Sequence, residues 1–109
     1  RDLQFSDLQW ARSKGFDTFC PLGPWIETEL DPEALALESR VNGQSRQKST
    51  SNDMITNVFD IVSYVSQNVT LFPGDVILTG SPAGISRIEA GDQVECEISG
   101  IGVLHNPVA

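Results

Sequence analysis

Asn42-Gly43 is the feature that most limits what this chain can fold into. The dipeptide sits within "ALALESRVNGQSRQKS", residues 34–49, between two runs of alternating apolar and polar character. Asn and Gly both tolerate positive φ, which the two central positions of a type I′ turn require. The twist of that turn matches the twist of paired strands, so residues 34–49 are expected to form a β-hairpin.

Further strand candidates flank it. "WIETEL", 25–30, alternates apolar and polar residues. "GDVILTG", 74–80, and "GDQVECEISG", 91–100, each open on Gly-Asp and continue as an apolar-rich run. "GVLHNPV", 102–108, reads as a last strand, with Pro107 near its end where a missing donor is tolerated. Two helices are expected. The first covers 6–14, with Ser6 and Gln9 in a capping-box pattern and Gly15 as its stop. The second lies in 50–68, where Met54, Ile55, Val58, Phe59, Val62 and Val65 recur at helical spacing. Thr50 or Ser51 would cap it, with Asp53 in its positive first turn. Residues 15–24 carry two Gly and two Pro and read as loop. Together these elements predict one mainly-β, α+β domain with few helices.

A chain of 109 residues has the size of one small domain with one core. It opens on "RDLQ" without an initiator Met and is expected to be a segment of something longer. Its formal charge of −8 argues against nucleic acid and anionic membrane surfaces, both of which need a Lys/Arg surplus. No apolar run approaches the roughly 18–20 residues of a membrane span, and no signal-peptide pattern is visible. Cys20 and Cys96 lie far apart and are expected to be reduced, buried and apolar in behaviour. The aromatic, Pro-rich "DTFCPLGPW" reads as a loop locked by packing, with Trp25 in the core, or as a binding surface.

"TGSPAG", 79–84, is the most suggestive loop. It has no Lys for a phosphate loop, no G-x-S-x-G elbow, and no helix after it for a dinucleotide fingerprint. What remains is either a plain turn or a strand end whose N–H groups and hydroxyls converge on a small anion such as a carboxylate. Glu27 and Glu29, and likewise Glu95 and Glu97, would share one strand face at period-two spacing. Each pair is either a solvated face or a partial cation site. His105, the single histidine, reads as structural. Lys14, at the expected end of the first helix, either complements the helix dipole or, in a pocket, stabilises an oxyanion.

Taken in order, "RDLQ", "QWARSKGFDTFCPLGPWI", "VNGQSRQKSTSNDMI", "YVSQNVTLFPGDVILTGSPAGI" and "GDQVECEISGIGVLHNPV" resemble the C-terminal half of the fumarylacetoacetate hydrolase family. The resemblance is strongest to its bacterial hydroxyheptadienedioate isomerases and acylpyruvate hydrolases, and it covers nearly the whole chain. It implies a mixed β-sandwich roll. Residues 1–109 would be the C-terminal portion of one catalytic domain, in a cytoplasmic homodimer acting in aromatic compound catabolism. It implies Mg²⁺ or Mn²⁺, held by an E-x-E motif and an aspartate upstream of Arg1, with a His–Glu base further upstream. Glu27-Thr28-Glu29 resembles that E-x-E only by accident of position, so no metal ligand is expected within this segment. Carried over, the resemblance makes Lys14 catalytic, facing the substrate's oxygen atoms. Arg1 and Gln4 would line the substrate pocket, with Thr79, Gly80 and Ser81. Ser81 stands where the family usually has the second Thr of T-G-T-P-x-G, a departure that keeps a hydroxyl. The implied reaction is hydrolysis of a C–C bond, or isomerisation, of 2-oxo or 2-hydroxy-dienoic acids through an enolate. Oxaloacetate decarboxylation and a non-catalytic module are the alternatives.

Overall fold

The computed structural model describes residues 1–109. Its centre is the expected hairpin. Strand β1, Ala36–Val41, pairs antiparallel with β2, Gln44–Thr50. Asn42 and Gly43 have φ of 51° and 76°, the positive pair that a type I′ turn needs. Asn42 also ties the turn to the next strand. Its Nδ2 donates to Asp92 Oδ1 at 2.8 Å, and its Oδ1 accepts from the Gln93 N–H at 2.9 Å.

Strands β3, Gln93–Ile98, and β4, Gly102–Pro107, complete one antiparallel sheet in the order β2-β1-β3-β4. Alternation sorts the side chains. Leu37 and Val41 fall on one face, with Cys96 and Leu104 in register beside them; Glu38 and Arg40 fall on the other, beside Glu97, Glu95 and His105. A bulge interrupts the β1–β2 ladder. Ser39 pairs with Gln47 and Arg40 with Ser45, which leaves Arg46 without a partner across the ladder. The mainly-β expectation with few helices stands.

The expected helix over 6–14 is two short pieces, α1, Asp2–Ser6, and α2, Ala11–Lys14. Asp7 is extended between them because Arg12 clasps its carboxylate with both Nε and Nη2, at 2.8 and 2.7 Å. Ser6 therefore closes α1 rather than capping a longer helix. In the second helical region, Thr50 and Asp53 do form a capping box, but around a single 3₁₀ turn, Ser51–Asp53. Met54 is extended, and helix α3 runs over Val58–Asn68 with Asn57 accepting from the Asp60 N–H at 2.8 Å. Met54 and Ile55 thus lie outside it.

Two expected strands do not form. In 25–30, Glu27 Oε1 accepts the N–H of Glu29 at 2.9 Å, and this local bond turns the chain where a ladder was expected. Residues 76–88 make no backbone–backbone hydrogen bond, so "GDVILTG" has no ladder to join. The core is thin. Val41 is the only buried apolar residue, and Ser13 the only buried polar one. Trp25 is not in the core: it is 59% exposed, although its ring rests on the backbone of Gly102, whose φ is +126°. Cys20 and Cys96 are free, as expected, but exposed rather than buried. Large apolar side chains such as Leu8 and Ile55 stand fully exposed on these 109 residues. No helix is long and apolar enough to cross a membrane.

Candidate functional site

The sheet positions one sizeable cavity, of about 590 Å³. One wall is the end of β2 with the 3₁₀ turn, including Ser49, Thr50 and Asp53. The facing wall is the loop through Thr79, Gly80 and Ser81. Gly80, one of the lining residues, has φ of +109°, a conformation that residues other than glycine resist. Leu37 and Ile61 add an apolar lining.

The acidic group on this wall is engaged through one oxygen. Asp53 Oδ2 accepts from the Ser49 hydroxyl at 2.6 Å and from the Thr50 N–H at 2.9 Å. The Ser49 hydroxyl, followed by the Thr50 amide, holds its carboxyl below the usual carboxylate range. The Thr79 and Ser81 hydroxyls are exposed and have no hydrogen-bond partner within the chain.

The structure brings Thr79, Gly80 and Ser81 together around this cavity. Arg1, Gln4 and Lys14 are not among its lining residues. Gln4 lies in α1, its N–H bonded to the Arg1 carbonyl at 3.0 Å. Lys14 ends α2, exposed and without an ion pair. Gly15 beside it fits closely, since a Cβ there would come within 2.8 Å of the Ala11 carbonyl oxygen. Buried Ser13 anchors the same turn by donating to the Trp10 carbonyl at 2.8 Å.

No cluster of three His, Cys, Asp or Glu side chains has the arrangement of a metal site. Glu27 and Glu29 do not share a strand face, because no strand forms there. Glu95 and Glu97 do share one, and they do share a cation: the Arg40 guanidinium, at 3.0 and 2.8 Å. Glu38 joins it at 3.1 Å. The Ser45 hydroxyl, with help from Arg40, holds the Glu38 carboxyl below its ordinary range. His105 Nδ1 lies 3.2 Å from Glu95 Oε1, and its side chain is 64% exposed, which fits a structural role. The donors that a divalent cation needs are therefore not found among these residues.

The family model described as "Fumarylacetoacetate (FAA) hydrolase C-terminal" matches residues 1–109. The chain belongs to the fumarylacetoacetate hydrolase family. Among solved members, the 2-hydroxyhepta-2,4-diene-1,7-dioate isomerase of Mycobacterium marinum superposes with a TM-score of 0.98 at 54% identity, over 100% of this chain and 43% of its own. The maleylpyruvate hydrolase of Sphingobium sp. SYK-6, in complex with manganese(II) and pyruvate, superposes at 0.83 and 36% identity, over 86% of this chain and 37% of its own. The mitochondrial oxaloacetate tautomerase Fahd2a of Rattus norvegicus is 44% identical over 119 residues, 99% of this chain and 38% of that protein. The chain spans less than half the length of the curated relatives it matches, 46% of the first of them.

Two features, one beside the cavity and one on the opposite sheet face, are not legible in the sequence. Gln47 reaches from β2 to the loop carbonyl of Pro82, and Arg40 collects three carboxylates. Cross-strand register decides both, and a sequence carries register only indirectly.

Proposed function

We propose that this chain is part of an enzyme that acts on 2-oxo acids or their enol tautomers, by hydrolysis of a C–C bond or by isomerisation. The observation that carries this reading is the cavity roofed by Thr79, Gly80 and Ser81, in a family member whose solved relatives include an isomerase of a 2-hydroxy-dienoate and a hydrolase holding pyruvate. Two exposed hydroxyls lining a partly apolar cavity suit a carboxylate joined to a carbon chain. Ser81 and Thr79 would donate to that carboxylate. The Lys14 ammonium would stabilise the negative oxygen of an enolate, and Arg1 and Gln4 would meet the same substrate, all three approaching from α1 and α2 outside the lining of this cavity. A resident Mg²⁺ or Mn²⁺, which the manganese in the Sphingobium hydrolase supports, would take its ligands from outside these 109 residues.

Oxaloacetate chemistry is the second reading, favoured by the 44% identity to an oxaloacetate tautomerase. Tautomerisation and decarboxylation of oxaloacetate both pass through an enolate. The exposed Phe5, Leu8 and Ile55 support a surface covered by further protein, with a homodimer as one part of it.

The test is turnover by the intact gene product, supplied with Mg²⁺ or Mn²⁺, on acetylpyruvate, 2-hydroxyhepta-2,4-diene-1,7-dioate and oxaloacetate. The substrate with the highest kcat/KM assigns the reaction. Turnover of none of them removes the enzymatic reading and leaves the chain as a binding module.

A further inference from the structure

Ser81 owes its place to a side chain on the neighbouring strand. Residues 76–88 make no backbone ladder within this chain. Within it, the loop is held at two points on β2. Gln47 Nε2 donates to the Pro82 carbonyl at 2.9 Å, and the backbone at Gly84 passes directly against the Arg46 carbonyl. Arg46 is the bulge residue, and the bulge leaves room for this approach. The amide of Gln47 is itself oriented, because the Ser39 hydroxyl donates to its Oε1 at 2.9 Å. With the oxygen so occupied, the NH₂ group faces Pro82; the reverse orientation would set two oxygens against each other and lose the Pro82 bond, because that carbonyl can only accept.

We propose that Gln47 is a positioning residue for the substrate-binding loop: the relay from Ser39 through Gln47 to Pro82 sets the height of the Ser81 hydroxyl over the cavity. This rests on the reading that Ser81 binds a substrate carboxylate. Gln47 does not line the cavity and does not touch the ligand. Its effect passes through the peptide next to Ser81. The contact it supports is made equally in the ground state and the transition state, so it sets affinity more than turnover.

The experiment is calorimetric titration of pyruvate into the intact gene product with Mn²⁺ present, on variants whose melting curves show them folded. Ser81→Ala is expected to weaken pyruvate about tenfold, the loss of one hydrogen bond to a charged group. Gln47→Met, of similar length but with neither donor nor acceptor, should weaken it by about fivefold. Gln47→Glu should weaken it further, because its carboxylate faces the Pro82 carbonyl. The deciding readout is the double variant Ser81→Ala/Gln47→Met, which should bind no more weakly than Ser81→Ala to within about twofold, since Gln47 acts through Ser81. A residue that merely stabilises the fold would instead multiply its effect onto Ser81→Ala. Multiplied effects, or wild-type affinity in folded Gln47→Met while Ser81→Ala is impaired, overturn this inference alone. Unchanged affinity in Ser81→Ala overturns the carboxylate reading and the inference together. Should neither Gln47 variant fold, Ser39→Ala only frees the amide to rotate and carries the same expectation at about threefold, with unchanged affinity again overturning it.

Discussion

Arg40 holds Glu97 at 2.8 Å through Nη1, across the boundary between β1 and β3. The same guanidinium reaches Glu95 and Glu38, so one cation stands among three carboxylates on the polar face of the sheet. In a chain of net charge −8 this arrangement has no spare counter-charge nearby except Lys48, opposite Glu38 on β2. Arg40→Gln leaves the three carboxylates to repel one another. It is expected to lower the melting temperature by a few degrees, and high salt should recover much of the loss by screening the repulsion. An equal deficit at low and high salt would assign the effect to lost packing of the arginine stem.

Acid stability should follow the capped aspartates. The Ser49 hydroxyl and the Thr50 amide depress the pKa of Asp53, and the Glu89 amide with the Asn42 side chain depresses that of Asp92. A depressed folded-state pKa stabilises above the unfolded value and loses that contribution as pH falls through the folded one. Melting temperature is therefore expected to hold from neutrality down to roughly pH 5, then to fall below about pH 4. Ser49→Ala and Asn42→Ala should each shrink the drop while lowering the neutral-pH plateau. A plateau that continued well below the ordinary aspartate pKa in the unaltered protein would show that neither group is coupled to folding.

The turn chemistry was the most legible part of the fold. Asn42-Gly43 specifies its own backbone, so the hairpin followed from two residues. Strand β3 followed from the apolar-rich run after Gly91-Asp92, and β4 from the run that follows it. The misread stretches share a cause. "WIETEL" and "GDVILTG" have strand composition, but a strand also needs a partner at its edge, and neither finds one within these residues. The 6–14 helix failed because Arg12 competes for Asp7, and the 50–68 helix was interrupted at Met54, where the capping box closes on itself. Of the site, Thr79, Gly80 and Ser81 were legible as a polar, glycine-bearing loop. Its support by Gln47 was not, because it depends on a bulge and on contact across 35 residues.

Gly84→Ala tests how tightly that loop is seated. The position has φ of +101°, and a Cβ there would collide with the Arg46 carbonyl. Backbone strain and the clash together should cost about 2 kcal/mol or more of stability. Pyruvate affinity should fall as well, because the loop must lift away from β2. Gly43→Ala, whose added methyl meets only open space, carries the left-handed strain without the clash and should cost about 1 kcal/mol, with affinity unchanged. Equal losses in the two variants, measured by melting and titration, would mean that the approach to Arg46 is not under constraint.

In the proposed reaction Lys14 would carry the chemical step. It ends α2, presented by a buried Ser13 and a Gly15 that has no room for a side chain, and no carboxylate in the chain neutralises it. A lysine that only complemented the dipole of this four-residue helix would be expendable, and its removal would cost a few tenths of a kcal/mol of stability and nothing in rate. An ammonium aimed at a developing enolate oxygen is worth far more in a site shielded from water. Lys14→Ala in the intact enzyme is therefore expected to lower kcat by roughly 10²-fold or more, with an unchanged melting curve. Lys14→Arg should recover only part of the rate, because a planar guanidinium cannot place its charge as compactly as an ammonium. The two variants are assayed with saturating metal on whichever of oxaloacetate, acetylpyruvate or the hydroxyheptadienedioate the enzyme turns over best. Near-normal kcat in Lys14→Ala would take Lys14 out of the reaction and leave the Thr79–Ser81 loop as a carboxylate anchor whose catalytic partner lies elsewhere.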